Sequence, residues 1–139
     1  MVAADGARLG FPEARLGLIP ATISPYVLRA IGPGHARALF VTGRRIDAAE
    51  AHRIGLVHRV VPPSELDAEV TRVVDDLLAC GPVAIAESKR LVRDATAGLA
   101  LPDLAVRLAS VRAAPEAQEG LAAFLAKQKP GWVITSDDS

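Results

Sequence analysis

Cysteine is nearly absent: Cys80 is the single one in 139 residues. No internal disulfide can form, and the expected compartment is a reducing one, the cytoplasm. Net charge is absent too, because sixteen basic side chains balance sixteen acidic ones. A balanced chain lacks the one-signed field that nucleic acids or membrane surfaces select, so neither partner is expected. No apolar run approaches the ~18–20 residues that span a bilayer. The start, Met1-Val2-Ala3-Ala4-Asp5, has neither the basic segment nor the apolar stretch of a signal peptide. No low-complexity segment or internal repeat is visible. His35, His52 and His58 have no metal-ligand spacing, and no HExxH stands near them, so no metal is expected. Gly32-Pro33-Gly34 is a turn without the context of a phosphate cradle. No GxSxG elbow exists, which removes a serine hydrolase.

What is present is apolar and helical. Half the residues are hydrophobic, enough for a core, and alanine is abundant. Residues 7–11 read as a short strand and 12–23 as a loop. Ser24 is placed to cap a helix to Ile31, with Pro25 in its first turn, and a second helix covers about 34–41. Asp47-Ala48-Ala49-Glu50 reads as a capping box opening a helix to Ile54. The run 56–61 is β-branched and reads as a second strand. Ser64 is expected to cap a longer helix with Leu66, Val70, Val73, Val74, Leu77 and Leu78 in one stripe. Further helices are expected over about 82–96, around Leu101 to Val111, and from Pro115 to before Pro130, the last carrying Leu121, Phe124 and Leu125 on one face. The tail, Asp137-Asp138-Ser139, is expected to fray. Two strands against about seven helices is a lopsided α/β pattern. The first strand has no neighbour in sequence to pair with, so the missing sheet is expected before residue 1.

One stretch stands out chemically: Phe11-Pro12-Glu13-Ala14-Arg15-Leu16-Gly17-Leu18-Ile19-Pro20. Proline fixes its own φ and pushes Phe11 to an extended shape, so Glu13 falls where a strand gives way to a loop. With Leu16, Leu18 and Ile19 around it, desolvation would suit such a carboxylate to proton transfer. The bland alternative is a solvated surface charge, which is what most glutamates are. Lys89 and Arg90 read as solvated. Phe124, Lys127 and Lys129 offer a ring and cations to an anion, against a default of core packing for Phe124.

In order and spacing, four blocks resemble the crotonase superfamily, the enoyl-CoA hydratase/isomerase enzymes. They are Phe11-Pro12-Glu13…Leu16-Gly17…Pro20; Thr42-Gly43-Arg44-Arg45-Ile46-Asp47-Ala48…Ala51…Gly55-Leu56-Val57…Val60-Val61-Pro62; Pro82…Ala86…Lys89; and Glu119-Gly120-Leu121-Ala122-Ala123-Phe124-Leu125…Lys127…Lys129-Pro130. The resemblance implies an α/β fold, the C-terminal half of a spiral ββα core. Residues 1–62 would end the core and 63–139 would form a helical oligomerisation region, building a homotrimer or a dimer of trimers.

It also implies an acyl-CoA substrate, with coenzyme A as part of that substrate and no further cofactor. Glu13 falls where the family places one of two catalytic glutamates. Leu16, Gly17, Ile19 and Pro20 would line the substrate site, and Phe124 and Lys127 would cover the CoA moiety. Ala21-Thr22-Ile23-Ser24-Pro25-Tyr26 replaces the family's Gly-Gly pair. That variant resembles the methylglutaconyl-CoA hydratase-like subgroup, which acts on branched or carboxylated acyl groups in branched-chain amino acid degradation. The family's N-terminal half, with its oxyanion donors and other glutamate, has no counterpart here, so little or no activity is expected of the chain alone. An isomerase of the same fold and an inactive oligomerising remnant are the alternatives.

Overall fold

The computed structural model describes residues 1–133. The chain forms two compact units, Met1–Thr71 and Arg72–Ser139, divided inside one helix. The boundary expected at residue 62 lies at Pro62-Pro63, just before that helix. The acidic tail lies outside the described residues.

The first unit holds four three-residue strands: β1 (Val2–Ala4), β2 (Arg8–Gly10), β3 (Arg45–Asp47) and β4 (Arg59–Val61). The sequence showed only β2 and β4, each longer than it proves to be. β1 pairs with β4 in parallel, Val2 opposite Arg59. β2 pairs with β3 antiparallel, Arg8 opposite Asp47 and Gly10 opposite Arg45. The strand at 7–11 thus finds a partner within the chain, contrary to the expectation that its pairing lay before residue 1. Three residues are too few to show a period of two, which is why β1 and β3 escaped notice.

Helix α1 (Ser24–Thr42) joins the two helices expected at 24–31 and 34–41. Gly32 interrupts it with φ 70° and ψ 168°, followed by Pro33, so the expected break survives as a kink. Ser24 does not cap it. Ile23 occupies the cap position, and the Ser24 hydroxyl donates to the Ala21 carbonyl at 2.9 Å. Asp47 does cap α2 (Ala48–Arg53): its Oδ1 accepts the Glu50 N–H at 2.7 Å. The Glu50 carboxylate, however, takes a two-pronged bond from Arg44, at 2.9 and 2.6 Å, instead of closing the box. That guanidinium holds the Glu50 carboxyl below its usual range.

The core of this unit packs Phe11, Val27, Ile31, Leu39, Ile46, Ile54 and Val57. Helix α3 (Leu66–Leu78) follows a 3-10 turn at Pro63–Glu65, so Ser64 lies before the helix and does not cap it. Its expected apolar stripe is largely open: Val70, Val74, Leu77 and Leu78 are all exposed. The buried side chain of α3 is Glu69, paired with Arg59 of β4.

The second unit contains α4 (Pro82–Thr96), α5 (Leu101–Ala113) and α6 (Pro115–Leu125). Each carries a proline in its first turn, where the missing N–H costs nothing. Glu116 of α6 reaches the start of α4, where its two oxygens accept the Val83 and Ala84 N–H groups at 2.9 and 2.8 Å. Arg107 of α5 ties to Asp94 of α4 at 2.9 Å and to Glu87 at 3.4 Å. Arg90 is exposed, as expected, and also pairs with Glu87 one turn away. No described side chain of this unit reaches full burial.

Candidate active site

Glu13 is positioned from both sides. Before it, Phe11 is buried and its ring meets Phe40 of α1 edge to face, centroids 5.1 Å apart. Phe11 is extended at φ −128°, as a residue before proline must be. Pro12 then opens a 3-10 turn, Pro12–Leu16, inside the stretch expected to be loop, and the turn packs along α1. After it, Gly17 reverses the chain at φ 72°, a left-handed value that glycine adopts without strain. The Leu18 N–H donates to the Glu13 carbonyl at 3.0 Å and the Gly17 N–H to the Ala14 carbonyl at 3.3 Å.

The Glu13 side chain is half-buried. Its Oε2 is closed off from solvent and has no hydrogen-bond partner among the described residues. Buried polar atoms are nearly always satisfied, so an orphaned carboxylate oxygen calls for a reason. It is an acceptor, or when protonated a donor, whose capacity is unused among the described residues.

The surroundings differ from expectation. Leu16, Leu18 and Ile19 do not close over the carboxylate: they are 75%, 61% and 79% exposed. Gly17 is exposed and Pro20 half-buried. Leu16, Gly17, Ile19 and Pro20 therefore share one loop with Glu13 as an open apolar rim. Phe124 and Lys127 belong to the second unit. Phe124 is 78% exposed, so it is not core. Lys127 takes a left-handed φ of 54° just past the end of α6, its N–H donating to the Phe124 carbonyl at 3.1 Å. The Gln128 N–H closes the same end on the Ala123 carbonyl at 2.9 Å.

A groove of about 410 Å³ opens beside β2, lined by Leu9, Gly10, Phe11, Ile23 and Tyr26 among others, with Arg8. Sequence reasoning treated Arg8 to Phe11 as strand, Ile23 as loop and Tyr26 as helix, and did not bring them together in a groove. The signal was Gly10: a Cβ there would fall 2.8 Å from the Arg44 carbonyl oxygen, so only glycine admits the β2–β3 approach.

His52 contacts the Val57 carbonyl through Nδ1 at 3.2 Å, and His58 Nδ1 meets the Met1 amine at 2.7 Å. Among the described residues no three His, Cys, Asp or Glu side chains gather to hold a metal ion, and no helix is long and apolar enough to cross a membrane.

Three comparisons bear on identity. A family model described as enoyl-CoA hydratase/isomerase matches residues 1–134. Crotonyl-CoA hydratase of Syntrophomonas wolfei is 35% identical over 136 residues, covering 95% of this chain and 52% of that protein. Among solved structures, AtuE of Pseudomonas aeruginosa superposes with a TM-score of 0.89 at 37% identity, over 96% of this chain and 53% of that one. An enoyl-CoA hydratase/isomerase from Marinobacter aquaeolei gives 0.88 at 37% identity, over 96% and 52%. The chain spans about half the length of the curated relatives it matches. A proline-fixed turn presenting a carboxylate with an unpartnered oxygen, the four sequence blocks and a family-model match over residues 1–134 agree: the chain belongs to the enoyl-CoA hydratase/isomerase family.

Proposed function

We propose that Glu13 handles a proton in an enoyl-CoA hydratase-type lyase reaction, the addition of water across the α,β double bond of an acyl-CoA thioester. The observation that carries this reading is the buried Glu13 Oε2 without a partner among the described residues, in a turn fixed by Pro12 and Gly17. In the reaction the water oxygen bonds to Cβ, Cα gains a proton, and the carboxylate carries one of the protons exchanged. Coenzyme A is part of the substrate, and the reaction needs no other cofactor.

The finer reading is a branched or carboxylated acyl group of the methylglutaconyl type, in branched-chain amino acid degradation. It rests on Ile23-Ser24-Pro25-Tyr26, whose Ile23 and Tyr26 line the groove beside β2. A homotrimer or dimer of trimers in the cytoplasm fits the second unit, where Leu108, Val111 and Leu121 line an apolar groove of about 810 Å³ along α5 and α6. In that assembly Phe124 and Lys127 cover the CoA moiety.

The test compares Glu13→Gln with the parent on crotonyl-CoA and 3-methylglutaconyl-CoA. It uses the protein extended by any in-frame coding sequence before Met1, or co-expressed with the other half of a relative. Removing a proton-transfer group is expected to lower kcat about 10²–10⁴-fold while acyl-CoA still binds. An unchanged hydration rate would sink the assignment. A rearranged double bond in place of a 3-hydroxyacyl product would move the reading to the isomerase, which a single carboxylate also serves.

A further inference from the structure

We propose that Arg15 and Arg45 form a seat for a phosphate-type oxyanion, on a different face of the 3-10 turn from Glu13. A 3-10 helix repeats every three residues, so Pro12 and Arg15 share a face and Glu13 does not. Pro12, Arg15, Gly43 and Arg45 together line a cleft of about 360 Å³.

Each arginine stem lies against a glycine. A Cβ at Gly43 would fall 2.9 Å from Arg15 Cγ and 3.2 Å from its Nε. A Cβ at Gly10 would fall 3.1 Å from Arg45 Cγ. Gly43, at φ 58°, ends α1, so any side chain there would be strained as well as in the way. The stem of each arginine therefore lies close to backbone, while both side chains stay exposed and open to a ligand.

Neither guanidinium has an ion-pair or hydrogen-bond partner among the described residues. Glu50 is taken by Arg44, with Arg53 at 3.6 Å, and Asp47 caps α2. Two uncompensated like charges in one cleft repel each other, and a dianion between them removes that repulsion. Guanidinium forks match the oxygens of phosphate and take them two at a time.

The test uses the full 139-residue chain with inorganic phosphate, followed by calorimetric titration and by thermal melting, against chloride at equal ionic strength. Saturable one-to-one binding below about 10 mM is expected, with a rise in melting temperature that tracks occupancy. Arg15→Gln and Arg45→Gln are each expected to weaken it about ten-fold or more. Arg37→Gln, outside the cleft, leaves it unchanged. Arg15→Lys, which keeps the charge and loses the fork, binds between parent and Arg15→Gln and controls for folding. Binding should strengthen from pH 5.5 to 7.5 as the dianion forms. No saturable phosphate binding, or binding indifferent to both glutamine variants, overturns the proposal.

Discussion

A carboxylate oxygen sealed from water and left without a donor is costly unless something later uses it. Glu13 Oε2 is in that state, and Gly17 is what turns the chain behind it. Gly17→Ala forces an L side chain to φ 72°. We expect about 1–2 kcal/mol of lost stability, read by denaturant unfolding, and a displaced Glu13 turn. A loss below a few tenths would mean that the loop relaxes freely. Arg44 and Glu50 give a pH prediction at the same scale. The hydrogen bond from Arg44 lowers the Glu50 carboxyl in the folded state, so the pair's contribution is fully present above the ordinary glutamate range. It is lost as pH falls through the lower folded value. Glu50→Gln should flatten the acid limb of a stability-pH curve by lowering the neutral plateau slightly while converging with the parent in acid, and the effect should be small because the pair is exposed.

Among the elements, Glu116 is the most exposed to test. Its carboxylate closes two orphan N–H groups at the start of α4 from a different helix. Glu116→Ala should cost about 1 kcal/mol, as losses of N-caps do, and raise amide exchange at Val83 and Ala84 first. Protection unchanged at those two amides would deny the bond its role. The sequence disclosed α4 through Gly81-Pro82, α5 through the three-and-four spacing of Leu101, Leu104, Leu108 and Val111, and α6 through Pro115. It could not disclose Glu116 as a cap, because that bond joins positions far apart in the chain. The same limit hid β3 and β1, whose three residues carry no usable period. It also hid the Arg15–Gly43 contact, made only when the turn folds onto the end of α1. Glu13 was legible because Phe11-Pro12 and Gly17 bracket it locally. Its open rim was not, since burial of Leu16 and Ile19 depends on what lies across from them.

For the whole molecule, the relevant fact is that relatives are about twice as long. The 139-residue chain alone is expected to show little or no hydration of crotonyl-CoA, since it spans about half of its relatives and each oxyanion donor lost from such a site costs ~10²–10³ in turnover. Steady turnover by the purified chain would refute this. Among its described residues the second unit buries no side chain fully and leaves Leu101, Leu108, Phe124 and Leu125 open. Size exclusion should therefore report an oligomer, and a clean monomer at micromolar concentration would count against the helical region as an assembly surface.

The parallel pairing of Val2 with Arg59 also sets a timetable for synthesis. At ribosomal speeds of about 5–20 residues per second, β1 waits several seconds before its partner strand is made. Until then its backbone groups are open to any passing strand. Slower refolding than a helical bundle of this size follows from that long-range closure. A chaperone that shields short apolar strands would be expected to raise the yield more than it raises the rate.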